Sequence, residues 1–465
     1  NATCNWYGTI ASGTIAGKIA GVVNYSPWYT TGTDGAGTGF QPTGTCDGIP
    51  VLISSVVADH ISCGETVGSI TVNFSGGFAP YGIVWTGGSA SGISSPFIIS
   101  GLPAGLCNFT ITDGNGSTVS SSETILLKPV TNTTQGQDYV SIQAAIDASA
   151  TGDVIDICAG TYEELININK PMTLNGPNAA IAGNGSRVAE AIIQFPTGTA
   201  NGESLINIGS NLSGVSISGF DLRCQNATIP NYHYLIVTNK INNLTIRNNR
   251  MYGSEIPMYI LTSGGLDDYR TGLIVEGNYV DCGPNVNSSY NRGIYVQATS
   301  GTIQDNQFLN TNIGIQYMPY GHTSSATIRR NTVSSSSIGL YHNYQTNGAA
   351  TVNWEQNEVS AASNPQTGLS ATVDGAWATP TIFRGIHIIT FGTQGAGASP
   401  SVLFNNNNIN AANPGGTTST VFRAVYLSNT NAAATATLTD NSFTGYTNGL
   451  VRNSDALTTI VNANC

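Results

Sequence analysis

Ile246-Arg-Asn-Asn249-Arg-Met251 is followed by Val275-Glu-Gly-Asn278-Tyr-Val280, Ile303-Gln-Asp-Asn306-Gln-Phe308 and Ile328-Arg-Arg-Asn331-Thr-Val333. The same frame returns at Trp354-Glu-Gln-Asn357-Glu-Val359, Phe404-Asn-Asn-Asn407-Asn-Ile409 and Leu438-Thr-Asp-Asn441-Ser-Phe443. It consists of an apolar residue, two variable residues, Asn, one variable residue and a second apolar residue. An earlier variant, Ile217-Ser-Gly-Phe220-Asp-Leu222, carries Phe in the Asn slot. Successive asparagines are separated by 29, 28, 25, 26, 50 and 34 residues, the length of one solenoid coil plus loops of varying size. Apolar residues on either side of a polar bend, repeated once per coil, imply a parallel β-solenoid whose apolar side chains alternate into its bore. Two readings of the Asn stand side by side. Its amide bonds to the equivalent Asn above and below as a ladder, or Asn merely tolerates left-handed geometry at the bend. Both give the same fold.

Between the asparagines lies a second short strand, seen at Gly293-Ile-Tyr-Val, Gly314-Ile-Gln-Tyr, Gly339-Leu-Tyr, Gly385-Ile-His-Ile, Ala424-Val-Tyr-Leu and Gly449-Leu-Val, so each coil has at least two strands. The repeat region opens on Asp138-Tyr-Val-Ser141-Ile142-Gln-Ala-Ala-Ile146-Asp-Ala148. Tyr139, Ile142 and Ile146 share one helical face behind Ser141 as N-cap. A short helix here, ahead of Val154-Ile-Asp-Ile157 and Leu165-Ile-Asn-Ile168, would cover the solenoid's otherwise unpaired edge.

Composition narrows the function. Charged residues are only 9% of a 465-residue chain with net charge −11, and no Lys/Arg cluster supplies the electrostatic footprint of a nucleic-acid binder. No apolar run is long enough to span a bilayer. The eight cysteines (Cys4, Cys46, Cys63, Cys107, Cys158, Cys224, Cys282, Cys465) lack metal-binding spacing, and disulfides and buried free thiols both remain open. No metal or cofactor is expected. Low charge and many Asn-x-Ser/Thr triplets fit an extracellular or cell-surface setting.

The run from Ser141 through Gly160-Thr-Tyr162 to Leu174 resembles the opening of many secreted parallel β-helix proteins, a superfamily that includes pectinesterases, pectate lyases and polygalacturonases. The resemblance stops at the opening. The later motifs that carry catalysis in those enzymes are absent, Asp267-Asp268 is the only adjacent aspartate pair in the solenoid, and Tyr320-Gly-His322 is a poor substitute for a polygalacturonase motif. Fold alone does not confer activity, and the chain is expected not to be an enzyme.

Residues 45–128 alternate short strands with Gly, Pro and Asn turns, as an immunoglobulin-like sandwich does. Through Gly76-Gly77, Pro80-Tyr81, Trp85, Leu102-Pro-Ala-Gly105 and Asp113-Gly-Asn-Gly116 this segment is similar to the SprB-type repeat of Bacteroidota surface adhesins. Ser117 departs from that pattern, which often ends in Cys, and Cys107 fills a usual aromatic slot; Cys63 to Cys107 is thus a candidate disulfide. Asp113-Gly-Asn-Gly116 is too short for an EF-hand and reads as a hairpin turn.

Residues 1–44 contain Asn5-Trp6-Tyr7-Gly8 and Asn24-Tyr25-Ser-Pro27-Trp28, and resemble the terminal coil of such β-helices placed ahead of the chain's own helix. The opening Asn-Ala-Thr-Cys4 also echoes the closing Asn462-Ala-Asn464-Cys465. The expectation is a repeat unit of a tandem array, or a subunit whose N-terminus caps its neighbour, with Cys4, Asn5, Trp6, Tyr7, Gly8, Trp28, Asn464 and Cys465 at the junction.

The expected fold is therefore all-β: a right-handed parallel β-helix over 129–465 with its capping helix, a small immunoglobulin-like sandwich over 45–128, and a terminal-coil segment over 1–44. The expected function is structural and adhesive, in a long extracellular surface or filament protein; the resemblance to the Bacteroidota adhesins implies export by a type nine pathway and a role in attachment, gliding or prey capture. Its partners are neighbouring copies, with a surface polysaccharide or a prey or host cell surface beyond them. A polysaccharide-binding module is the rival reading, a pectin-type enzyme the third. Tyrosines scattered through the solenoid and a long excursion near 362–384 point to Tyr317, Tyr320, Tyr341, Asp374 and Trp377 as glycan contacts.

Overall fold

A computed structural model describes residues 50–200, 202–224, 233–262, 269–283, 291–319, 325–344, 351–362, 371–372, 377–378, 382–390, 401–410, 412, 421–428 and 435–452. The described residues form two compact units that divide between Lys128 and Pro129.

The first unit holds two antiparallel sheets. Leu52–Asp59, Gly68–Ser75 and Phe97–Leu102 build one; Gly88–Ile93, Tyr81–Trp85, Gly105–Thr112 and Thr118–Ile125 build the other. Period-two alternation along Gly68–Ser75 sends Ile70, Val72 and Phe74 to one side. There they meet Ile99 of their own sheet and Ile83, Cys107, Phe109 and Ile111 of the second in one apolar cluster. Cys107 is a buried free thiol while Cys63 is disulfide-bonded, so the pairing of Cys63 with Cys107 is incorrect. The Cys107 sulfur packs as a small apolar group, and burial pushes its thiol pKa up. At Asp113-Gly-Asn-Gly116 the aspartate carboxylate accepts the backbone N–H groups of Phe78 (3.1 Å), Asn115 (2.9 Å) and Ser117 (2.8 Å), which fixes a hairpin turn.

The second unit is a parallel β-solenoid. It begins with an antiparallel hairpin, Val130–Asn132 with Gln137–Tyr139, laid against the first coil strand Val154–Ile157. Helix α1 (Ile142–Ala148) follows, and Ile142, Ala145 and Ile146 enter the solenoid core. Ser141 caps it by accepting the Ala144 N–H at 3.2 Å, and the Glu164 carboxylate takes the N–H groups of Ile142 and Gln143 at 3.0 Å each. These donors have no partner within a helix, so side-chain oxygens replace the missing carbonyls.

Each coil carries three strands rather than the minimum of two read from sequence. In the coil of Asn278 they are Arg270–Glu276, Tyr279–Asp281 and Arg292–Gln297. In the next coil the second and third merge into the continuous strand Gln307–Met318. Parallel pairing between coils stacks like on like. Ile155, Leu174, Ile217, Ile246, Val275, Ile303, Ile328, Trp354, Phe404 and Leu438 lie in one register column. Leu222, Met251, Val280, Phe308, Val333, Val359, Ile409 and Phe443 form a second. A third passes through Ile236, Met258, Ile294, Ile315, Leu340, Ile386 and Val425. All three belong to a single buried cluster that fills the bore.

Gly293, Gly314, Gly339 and Gly385 make this close packing possible. A Cβ on Gly314 would stand 2.2 Å from Val333 Cγ1, and one on Gly339 would stand 2.2 Å from Val359 Cγ1. In these four coils the glycine of the third strand thus vacates the space taken by a second strand's apolar residue.

Candidate functional site

The repeating asparagines are nearly fully buried and hydrogen-bonded in series. Asn306 shows the pattern. Its Oδ1 accepts from both the backbone N–H and Nδ2 of Asn278 at 2.9 Å, while its own Nδ2 donates to Val275 O and to Asn331 Oδ1, each at 2.9 Å. The arrangement repeats from Asn249 through Asn278, Asn306, Asn331, Asn357 and Asn407 to Asn441. It spans the interval of 50 residues between Asn357 and Asn407 without a change in distance, 2.9 Å. Phe220 occupies the preceding slot and gives only its backbone N–H, to Asn249 Oδ1 at 3.0 Å.

Left-handed backbone geometry belongs to the residue before each asparagine. Asn248 (φ 56°), Gly277 (65°), Asp305 (57°), Arg330 (51°), Gln356 (55°), Asn406 (53°) and Asp440 (53°) carry the positive φ. None of the seven repeating asparagines is among the residues with positive φ. The bend does not explain the choice of Asn; the buried amide contacts do. Turning the corner in left-handed geometry takes the backbone N–H of the next residue out of the sheet ladder, and the amide oxygen one coil on receives it.

Of the residues read as glycan contacts, Tyr317 and Tyr341 are buried, which corrects that reading for both. Tyr317 lies in the bore, 0% exposed, with its hydroxyl donating to Thr299 O at 3.0 Å. Tyr341 is 4% exposed on the outer side of the third strand, its ring stacked on His387 at 5.1 Å. Tyr320 and Asp374 lie outside the described residues, as do the junction residues Cys4, Asn5, Trp6, Tyr7, Gly8, Trp28, Asn464 and Cys465. Trp377 sits in the short strand Trp377–Ala378, paired antiparallel with Ala371–Thr372.

Two histidines are fully buried. His342 faces the bore edge-on to Trp354, with ring centroids 6.3 Å apart, and burial lowers its pKa to about 3. His387 lies between Tyr341 and Tyr426; burial, reinforced by the charges of Arg384 and Arg423, lowers its pKa well below the ordinary value. Both are therefore neutral at physiological pH.

A cluster of charged side chains lies on the outer face of the second strands, where sequence reading placed no site. Register aligns Asp221, Arg250 and Tyr279 in one column and Arg223, Tyr252 and Asp281 in the next. The Asp221 carboxylate receives Arg223 Nε and Nη2, both at 2.8 Å, and the Arg223 guanidinium lies 5.9 Å from the Tyr252 ring centroid. Tyr252 and Tyr279 are neighbouring rings at 5.8 Å, inclined by 51°. Burial raises both phenol pKa values, so the hydroxyls stay protonated. The segment 176–190 borders this face. Its Arg187 donates to Phe220 O (3.2 Å) and Asn248 O (2.6 Å), and Arg250 Nε donates to Gly183 O at 2.7 Å. The sequence signal was the spacing of 29 between Asn249 and Asn278, which also relates Arg223 to Tyr252 and Tyr252 to Asp281.

Among the described residues there is no group of three or more His, Cys, Asp or Glu placed to hold a metal ion, and no helix long and apolar enough to cross a membrane. The fold and the asparagine series define a β-solenoid of the repeat-module class. No family model matches the chain, and no curated protein does. Among solved structures, the N-terminal fragment of bacteriophage phi29 gene product 12 is similar at 12% identity with a TM-score of 0.34. The match covers 66% of this chain and 62% of that one, so this chain spans less than two thirds of the fragment's length.

Proposed function

We propose that this chain is a structural and adhesive repeat module of a long extracellular surface or filament protein. The observation that carries the reading is the unbroken asparagine series, running parallel to three continuous apolar stacks from Asn249 to Asn441. Stacked parallel strands place backbone hydrogen bonds along the long axis, about 4.8 Å per coil, so an axial load is shared by many bonds at once. Crossovers between parallel strands are right-handed by the usual rule, which supports a right-handed winding. The two antiparallel sheets around one core in residues 52–125 support an immunoglobulin-like spacer between solenoids.

In this reading the partners are neighbouring copies of the chain, joined through the segment carrying Asn5-Trp6-Tyr7-Gly8, and the setting is the cell surface. The SprB-like residues support a Bacteroidota adhesin exported by the type nine pathway. No reaction is assigned. The test is electron microscopy and sedimentation of the purified chain and of a fusion of two copies. End-to-end rods with a regular axial repeat are expected. Isolated globular monomers at all concentrations, with a flexible joint in the fusion, would overturn the proposal.

A further inference from the structure

The outer grid on the second strands has the chemistry of a carbohydrate platform. Three short strands, Asp221–Arg223, Arg250–Tyr252 and Tyr279–Asp281, point Leu222, Met251 and Val280 into the bore and the flanking residues outward. Tyr252, Tyr279 and Asp281 are half-buried, and the Arg223 side chain keeps 34% of its surface. The patch is neither sealed nor loosely hung. Arg223 is held by Asp221, Arg250 by Gly183 O and by Glu190 at 3.6 Å, and Asp281 Oδ1 by the N–H of Gly283 (2.9 Å) and Nδ2 of Asn310 (2.8 Å).

We infer that Arg223, Tyr252, Tyr279 and Asp281 form a binding site for a neutral polysaccharide lying along the solenoid axis. Tyrosine rings offer apolar faces to the C–H faces of a pyranose, while their polar edges remain available. Hydroxyl, guanidinium and carboxylate groups around the rings match the donors and acceptors of sugar hydroxyls. The coil spacing of about 4.8 Å is close to the length of one pyranose in an extended chain, so successive coils meet successive sugars. Charge selects the neutral class. Arg223 is already neutralised by Asp221, and Glu190 is shared by Arg187 at 2.7 Å and Arg250 at 3.6 Å; with Asp281 the guanidiniums of Arg187, Arg223 and Arg250 are matched by as many carboxylates, so the grid offers no net positive charge to draw a uronate. This site is independent of end-to-end assembly, since none of its residues lies at the proposed junction.

Affinity electrophoresis of the full chain through hydroxyethylcellulose, laminarin, mannan and dextran tests the inference, with polygalacturonate and alginate as the acidic arm. Retardation by at least one neutral polysaccharide is expected. It should weaken by about tenfold or more in the double variant Tyr252→Ala/Tyr279→Ala, the scale of losing a good contact. Tyr252→Phe/Tyr279→Phe should retain most of it, and thermal unfolding should show that both variants fold. Absence of retardation in all four neutral gels, preference for the acidic pair, or undiminished retardation in the folded alanine variant would each overturn the site.

Discussion

The side-chain oxygen of Asn278 accepts two hydrogen bonds from Asn249, one from its backbone N–H at 3.0 Å and one from Nδ2 at 3.1 Å. One buried atom thus satisfies a main-chain donor that the corner takes out of the sheet and a side-chain donor from the same residue. Removing it leaves the main-chain donor without a partner in an apolar setting, a loss worth about 1–3 kcal/mol, and leaves Nδ2 with Ile217 O alone.

Asn306→Leu should therefore destabilise the solenoid by about 2 kcal/mol or more, since it takes the acceptor from the buried Asn278 backbone N–H and one partner each from Asn278 Nδ2, Val275 O and Asn331 Oδ1. Chemical denaturation followed by circular dichroism reads the loss. A change below about 1 kcal/mol would mean that the amides are interchangeable with ordinary core side chains.

The residue before each asparagine answers to a different demand. Gln356 is exposed with φ 55°, a conformation that costs an L-residue about 1–2 kcal/mol and a β-branched one more. Gln356→Val should lower stability by roughly 1–2 kcal/mol and Gln356→Gly should leave it equal or raise it slightly. The opposite order in denaturation midpoints would contradict the assignment of backbone strain to this position.

Gly339→Ala should be destabilising by about 2 kcal/mol or more, because the added carbon meets Val359 Cγ1 at 2.2 Å and Gly385 O at 2.7 Å. Adding Val359→Ala should recover part of the loss despite removing apolar volume. Simple additivity of the two changes would show that they do not compete for one space.

Stability should fall in acid through the buried histidines. An unfolded chain binds a proton at His342 below about 6.5, whereas the folded protein resists until about 3. Between those values the unfolded state holds more protons, so stability decreases as pH drops from 6.5 toward 3. The full effect is on the order of a few kcal/mol, and His387 acts in the same direction. His342→Phe should narrow the gap in unfolding free energy between neutral and acidic buffer; an unchanged gap would exclude this site as a source.

Much of the solenoid was legible because its information is one-dimensional. The spacing of the asparagines fixes which residues stack, and the apolar residues beside them name the bore. The third strand of each coil was visible in segments such as Gly293-Ile-Tyr-Val; harder to see was that the asparagine motif straddles two strands, since only Gly277 and Asn278 separate Arg270–Glu276 from Tyr279–Asp281. Burial of Tyr341 and His387 on an outward-facing side could not be read at all. It depends on what lies over the strand, which no period records. The grid at Tyr252 and Tyr279 was hidden for the opposite reason: Tyr279 occupies the variable position of the repeat, where the eye is trained to look past it.

The amides of the asparagine series all face one way, each carbonyl turned toward the preceding coil and each Nδ2 toward the following one. Their dipoles add head to tail instead of cancelling. The column is an arrow, with acceptor character at the Asn249 tail and donor character at the Asn441 head. Any strand that extends the stack beyond Asn441 must present an oxygen, and one arriving upside down would present hydrogen to hydrogen. Polarity of growth is thus written into the bore itself, before any contact between surfaces is made.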